Sequence, residues 1–98
     1  MARLTWAPRA VQDLDDICAY IARNSDKYAR VVAKEIRKLV RTIPAQPRLG
    51  SMVPEYEQDD IRERLFQNYR IIYRLRGDDV EVVRIIHGAR LLPSTPLE

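Results

Sequence analysis

The sequence predicts an α+β fold: a short N-terminal strand and a two-helix antiparallel hairpin packed on one face of a small, mostly antiparallel sheet. Apolar residues recur at helical spacing from about residue 8 to residue 43. After residue 60 the apolar period changes to two, which indicates strands. Prolines and a glycine mark an irregular stretch between these parts, over about residues 44–60. The predicted order is therefore β-α-α-β-β-β, and a helical part followed by strands is typical of α+β domains.

The helical part divides into two amphipathic helices. The opening strand is predicted at "RLTW", residues 3–6, and Pro8 suits the first turn of the helix that follows. Ser25 or Asp26 is predicted to cap the second helix by accepting a backbone hydrogen bond. The first helix is expected to bury Val11, Leu14, Ile17, Cys18 and Ile21, and to keep Asp13, Asp15 and Asp16 on other faces. The second is expected to bury Ala29, Val32, Ala33, Ile36, Leu39, Val40 and Ile43 beneath an otherwise basic surface.

Three strands are predicted in the second part, at residues 61–67, 69–76 and 80–87, with Gly77 in the turn between the last two. Alternate side chains of a strand share a face. The middle strand, within "NYRIIYRLR", is expected to direct towards the helices Tyr69, Ile71, Tyr73 and Leu75. The opposite face is expected to stay partly open and to carry Arg70, Ile72, Arg74 and Arg76, with Arg62, Arg64 and Arg84 on the flanking strands.

A row of guanidinium groups on an open face can bind phosphates or carboxylates through paired hydrogen bonds. A solvated face, neutralised by acidic residues of the same chain such as Glu63 and Glu81, fits the same periodicity. The single histidine, His87, ends the last strand and suits either a general acid or base or a hydrogen-bonded structural residue. Gly88 follows it and would let a ligand or another chain approach closely.

Length and composition limit the number of domains and the kinds of active site that the chain can form. The 98 residues are interpreted as a single domain, 1–98, with an irregular tail at 93–98 whose final Leu97 and Glu98 resemble a cloning remnant. One cysteine, Cys18, excludes an internal disulfide, and one histidine with scattered acids gives no metal-ligand spacing. Without a glycine-rich loop or an activated nucleophile, neither a cofactor nor triad hydrolysis is expected. Metal-independent RNA cleavage stays open, because it needs only positioned arginines and an acid–base pair.

The charge balance is mildly basic. Seventeen Lys and Arg against fourteen Asp and Glu give +3, which permits a nucleic acid or an acidic protein partner without requiring either. No apolar run approaches the roughly 20 residues of a membrane span, and no leader pattern is recognised. A cytoplasmic protein without membrane contact is expected.

Three stretches together resemble one family: "APRAVQDLDDICAYI", "PAQPRLG" and "NYRIIYRLRGDDVEVVRIIHGAR". From Thr5 to about Leu92 the chain is similar to the RelE/ParE toxin superfamily of bacterial type II toxin–antitoxin systems. The resemblance implies the fold predicted above and a growth-inhibiting toxin, of the kind found in plasmid stabilisation systems. It also implies a cognate antitoxin with an acidic segment that wraps the toxin, and operator DNA bound through that antitoxin.

The superfamily includes ribosome-dependent mRNA endonucleases and inhibitors of DNA gyrase. In the endonuclease branch two arginines contact the scissile phosphate, and Arg70 and Arg90 match their positions. Acid–base groups would then be His87 or Glu63, although no tyrosine follows Tyr73, so His87 is expected to lack a tyrosine neighbour.

The motif "RIIHGAR" is more similar to the ParE-like branch, so the resemblance favours a gyrase inhibitor over an enzyme. A ribosome-dependent, metal-independent mRNA endoribonuclease is the alternative, and a non-toxic basic nucleic-acid-binding domain is a second alternative. The residues expected to bind phosphate or an acidic partner are Arg62, Arg64, Arg70, Arg74 and Arg90.

Overall fold

The computed structural model describes residues 2–88, which form two helices packed on a five-stranded mixed sheet. The α+β class predicted from the sequence is confirmed. A single 3-10 turn, Ile43–Ala45, follows the second helix. The elements are β1 (Leu4–Trp6), α1 (Pro8–Ala22), α2 (Asp26–Thr42), β2 (Ser51–Met52), β3 (Ile61–Phe66), β4 (Tyr69–Arg76) and β5 (Asp79–His87).

The sheet has the strand order β1-β5-β4-β3-β2. β1 pairs with β5 in parallel, and the other three pairings are antiparallel. Gly77, at φ +60°, lies in the two-residue turn that joins β4 to β5. β2 was not predicted, because two residues are too few to show a period; they pair with Arg62 and Glu63.

The helical hairpin forms as predicted at its turn. Ser25 is the N-cap of α2, and its Oγ accepts a hydrogen bond from the backbone N–H of Tyr28 at 3.0 Å. The first helix differs from the prediction. Val11 is 45% exposed, whereas Asp13, expected on a polar face, is buried.

Asp13 is buried because its carboxylate accepts a backbone hydrogen bond at the edge of the sheet. β1 ends at Trp6 and pairs with β5 only over Val80–Val82, so the outer edge of β5 has no paired strand among residues 2–88 beyond that point. There Asp13 Oδ2 accepts the backbone N–H of Ile85 at 2.9 Å and Nε of Arg84 at 2.8 Å. The helix thus supplies a hydrogen-bond acceptor where a strand is missing.

Apolar clusters lie on both faces of the sheet. The larger lies between the sheet and the helices and includes Ile71, Tyr73 and Leu75, as predicted. The smaller lies on the opposite face and contains Val53, Ile61, Ile72, Val83 and Ile86, with Tyr56 packed against it. The expectation of a partly open second face is therefore wrong along this part of the sheet, because the segment carrying Val53 and Tyr56 folds over it.

Candidate functional site

Arg70 of β4 lies under the segment between β2 and β3, and only 9% of its side chain is exposed. Its Nη1 and Nη2 donate to Oε2 and Oε1 of Glu55 at 2.7 and 2.8 Å, in a bidentate pair. Its Nε donates to Oε1 of Glu63 on the neighbouring strand at 2.5 Å. These hydrogen bonds, above all those to Glu55, raise the pKa of Arg70 above its usual value against the opposing effect of burial.

The structure therefore brings two predicted site residues together, Arg70 and Glu63, but as partners of each other. All three guanidinium nitrogens of Arg70 donate to carboxylates. The expectation that Arg70 faces open solvent is wrong, because the segment between β2 and β3 places Glu55 over it. Moving Arg70 away would break its hydrogen bonds to two largely buried carboxylates, those of Glu55 and Glu63.

Arg62 is also held within the chain, and its side chain is 16% exposed. Its Nε donates to the backbone oxygen of Asp59 at 2.9 Å, and its Nη1 donates to that of Gly50 at 3.1 Å. The Asp59 carboxylate accepts from both Arg48 and Arg62, and these two hydrogen bonds lower its pKa. Arg62 is thus engaged in fastening the segment that precedes β3.

Other arginines of the predicted row lie on β3, β4 and β5. Arg64 and Arg74 are half-buried, on β3 and β4. Arg84 pairs with Asp13 of α1 and is 12% exposed. Arg90 lies outside the described residues.

The register of β3 with β4 places Arg62 opposite Tyr73 and Arg64 opposite Ile71, so both arginines lie on the helix-facing side of the sheet. The expectation that they share a face with Arg70 is therefore wrong, and the arginines of the sheet do not form one row.

His87 is exposed and lies directly across from Tyr69 in the β4–β5 register. The two rings meet edge to face, with centroids 5.9 Å apart and planes at 80°. The expectation that His87 lacks a tyrosine neighbour is wrong, because the neighbour comes from the adjacent strand instead of from the C-terminal tail. Burial, and to a smaller extent Tyr20, raises the pKa of Tyr69, so its hydroxyl stays protonated and able to donate.

His87 and Arg70 line one shallow depression of about 380 Å³, together with the β3–β4 turn at Gln67 and Asn68. Gly88 closes its floor: its N–H donates to the Asn68 oxygen at 2.5 Å, and a Cβ there would lie 3.0 Å from that oxygen. The close approach predicted at Gly88 is thus made by Asn68 of the same chain. Within residues 2–88, no group of histidine, cysteine and acidic side chains is arranged to hold a metal ion.

The sequence matches a family model over residues 4–92, and that family is described as the ParE toxin of type II toxin–antitoxin system, parDE. The chain belongs to the ParE toxin family. The resemblance to the RelE/ParE superfamily inferred from the sequence is thereby confirmed, and the protein is a toxin of a type II toxin–antitoxin system.

Solved structures share the fold of this ParE-family toxin. A chain of the chromosomal ParDE toxin–antitoxin system from P. aeruginosa superposes with a TM-score of 0.73 at 22% identity, covering 89% of this chain and 96% of that one. The YoeB dimer from Staphylococcus aureus gives 0.57 at 17% identity, covering 85% and 92%. A heterotetrameric YoeB–YefM complex from the same organism gives 0.52 at 17% identity, covering 86% and 93%. No curated protein matches the sequence.

Glu55 is the residue of this ParE-family toxin that sequence reasoning missed. It lies in the acidic stretch "PEYEQDD", whose pattern indicates only a polar loop. The available signal was compositional, because several acids of this stretch precede an arginine-rich strand pair.

In the described helices, residues 8–22 and 26–42, no segment is long and apolar enough to cross a membrane.

Proposed function

We propose that this ParE-family toxin inhibits growth by binding DNA gyrase, without catalysing a reaction itself. The observation that supports this choice over nuclease activity is the engagement of Arg70. A phosphate-binding arginine must offer donors to the developing charge of the transition state. The donors of Arg70 point instead at Glu55 and Glu63.

The energetics point in the same direction. Removing one member of a buried ion pair costs about 3–5 kcal/mol, because it leaves an uncompensated charge. A substrate phosphate would have to displace Glu55 from Arg70 and would meet repulsion from both carboxylates. This arrangement fits a structural arginine better than a catalytic one.

A cognate antitoxin is proposed as the partner that neutralises the toxin and carries it to operator DNA, as in a plasmid stabilisation system. Support comes from the neighbours in fold, which include a ParDE system and a YoeB–YefM toxin–antitoxin complex. Co-expression with the cognate antitoxin should restore growth and give a complex that survives size-exclusion chromatography. Loss of growth despite a stable complex would contradict neutralisation by that partner.

The alternative, a ribosome-dependent mRNA endonuclease, is favoured by one feature. His87 lines the same depression as Arg70, and its ring contacts that of Tyr69 from the side, so an acid–base group lies between a cation and a tyrosine ring. In that mechanism His87 would move the proton of a 2′-hydroxyl, and Arg70, freed from Glu55, would hold the phosphate.

Pulse labelling of DNA and protein synthesis, immediately after induction without the antitoxin, distinguishes the two functions. An early fall in DNA synthesis, followed later by translation, is expected for a gyrase inhibitor. Purified toxin should then also reduce the supercoiling activity of purified gyrase. Immediate arrest of translation would contradict the proposal and support the endonuclease, and arrest of neither would favour a non-toxic nucleic-acid-binding domain.

His87→Ala is a sharper test of catalysis than a change at Arg70, because His87 is exposed whereas Arg70 stabilises the fold. Toxicity of His87→Ala is expected to equal that of Arg76→Ala, an exposed control at the far end of β4. A selective loss of toxicity in His87→Ala of at least about 100-fold, the scale of general acid–base catalysis, would support the endonuclease.

A further inference from the structure

The exposed side of α2 carries a continuous row of cations, termed here the α2 basic stripe. At about 100° per residue, its members fall within an arc of roughly 100° that contains no other residue type. From its first member to its last the row spans fourteen residue steps, or about 21 Å along the helix axis. Every member is exposed to solvent. The stripe consists of Lys27, Arg30, Lys34, Arg37, Lys38 and Arg41.

The charge of the stripe is not neutralised within the described part of the chain. No carboxylate of residues 2–88 forms a salt bridge with any stripe residue. The arginines on the sheet behave differently, since Arg62, Arg70 and Arg84 each contact a carboxylate. The stripe is therefore a cationic surface whose charges form no salt bridge within residues 2–88, whereas three arginines of the sheet are each paired with a carboxylate.

The chemistry of the stripe fits a polyanion better than a folded protein. Protein interfaces rely on buried apolar and aromatic anchors and are depleted of lysine at their centre. The stripe arc contains neither kind of anchor, because the exposed Tyr28 and Val31 lie beside it and not within it. It also offers no aromatic platform on which unpaired bases could stack, which disfavours single-stranded ligands.

Its length suits a duplex backbone. Duplex DNA carries about one phosphate charge per 1.7 Å of its axis when both strands are counted, so a 21 Å length carries roughly twelve. The half of them on the side that faces the stripe can supply about one phosphate for each of its six cations. Lysine and arginine bind such phosphates mainly through charge, and phosphate contacts position a protein without reading sequence.

We propose that the α2 basic stripe binds the phosphate backbone of duplex DNA without sequence preference. The toxin then contacts DNA through its own surface, in addition to any DNA bound by an antitoxin. This site is separate from the Arg70 and His87 region, and it does not depend on gyrase being the cellular target.

The test is fluorescence anisotropy of full-length toxin, freed of antitoxin, with two 24-base-pair DNA duplexes of unrelated sequence. Both should bind equally, and log K should fall with log salt with a slope of up to about −5, for six phosphate contacts. Changing Arg30→Gln, Lys34→Gln and Arg41→Gln together should reduce the slope by about three units and weaken binding in 0.1 M salt about tenfold or more. Glutamine keeps the helix propensity of these exposed positions, and circular dichroism checks the fold.

Two control variants test whether DNA binding depends on where the positive charges lie or only on how many the protein carries. Arg3→Gln, Arg23→Gln and Arg76→Gln together remove the same charge from exposed positions off the stripe and should leave the slope nearly unchanged. The charge-preserving set Arg30→Lys, Lys34→Arg and Arg41→Lys should bind like the wild type. Equal losses in the two glutamine variants would overturn the proposal. Competition by polyglutamate as strong as that by duplex DNA, or tighter binding of single-stranded RNA of equal charge, would overturn it as well.

Discussion

Glu55 and Arg70 join the segment between β2 and β3 to the centre of the sheet through two parallel hydrogen bonds, 2.7 and 2.8 Å long. The contact links residues fifteen positions apart in the sequence. It lies beside the apolar cluster of Val53 and Ile72, so charge and apolar packing fasten the same segment. The bidentate geometry selects arginine, because a lysine could not donate to both Glu55 oxygens in parallel.

We expect Arg70→Met to lower the free energy of unfolding by about 3–5 kcal/mol, because Glu55 and Glu63, both largely buried, would lose their hydrogen bonds to the guanidinium. Urea denaturation measures the loss. The matched variant that adds Glu55→Gln and Glu63→Gln should recover much of it, since two carboxylate charges no longer have to stay buried beside a methionine. A loss below about 1 kcal/mol in Arg70→Met would mean that the pair does not stabilise the fold.

Asp13→Ala should destabilise the protein by about 3 kcal/mol, because it removes an acceptor for the Ile85 N–H and leaves Arg84 without its carboxylate. Asp13→Asn should cost less, since its amide oxygen can still accept from Ile85. Thermal and urea unfolding compare the two with Asp16→Ala, an exposed site on the same helix whose cost should stay within about 0.5 kcal/mol. Equal effects at Asp13 and Asp16 would refute the role of Asp13 at the sheet edge.

Gly50→Ala should destabilise by about 1–3 kcal/mol through overpacking. A Cβ at Gly50 would lie 2.3 Å from Tyr73 Oη and 2.6 Å from the backbone oxygen of Glu63, so the loop would have to move away from β3. Gly77→Ala is the comparison, because it meets no atom within 4 Å and is disfavoured only by its φ of +60°. Its cost should be about 1–2 kcal/mol. A loop displacement seen by amide chemical shifts near Tyr73 should appear only in Gly50→Ala.

Stability should decrease as the pH rises above about 10. Burial raises the pKa of Tyr73 above its usual value of 10.0, so the folded chain holds this proton where the unfolded chain loses it. The contribution is fully present below the unfolded pKa and is lost as the pH rises towards the folded one. Urea unfolding at pH 8, 9.5 and 10.5 measures the slope, which Tyr73→Phe should reduce but not abolish, since the pKa values of Tyr56 and Tyr69 are also raised. An unchanged slope in Tyr73→Phe would contradict the assignment.

The sequence predicted those parts of the fold that depend on local periodicity. The helical hairpin, the cap at Ser25, the long strands and the inward face of β4 all follow from repeats or from single-residue preferences. It failed where a residue's environment is set by a distant partner. The sequence pattern predicts a solvent-facing Asp13, because it does not show that β1 ends before Ile85 and leaves the Ile85 N–H to be bound by this carboxylate. It predicts an open Arg70, because it does not show that Glu55 lies over it.

Contacts between distant residues also explain why the candidate site was only partly predicted. The contact of Tyr69 with His87 follows from the register of two strands, which no spacing rule gives in advance. By contrast, the α2 basic stripe could be predicted from helical periodicity alone. What the sequence could not show is that Arg62, Arg70 and Arg84 of the sheet pair with carboxylates, while the arginines of α2 form no salt bridge within residues 2–88.

The parallel pairing of β1 with β5 has a consequence for how the chain is made. β5 lies between β1 and β4 in the sheet, so β1 has no hydrogen-bonded neighbour until β5 has left the ribosome. The growing polypeptide can form its helical hairpin early, because those contacts are local. Its sheet can be completed only after β5 has been translated. A chain interrupted before residue 79 therefore lacks the strand that joins β1 to β4, and premature termination yields a fragment that cannot form this sheet.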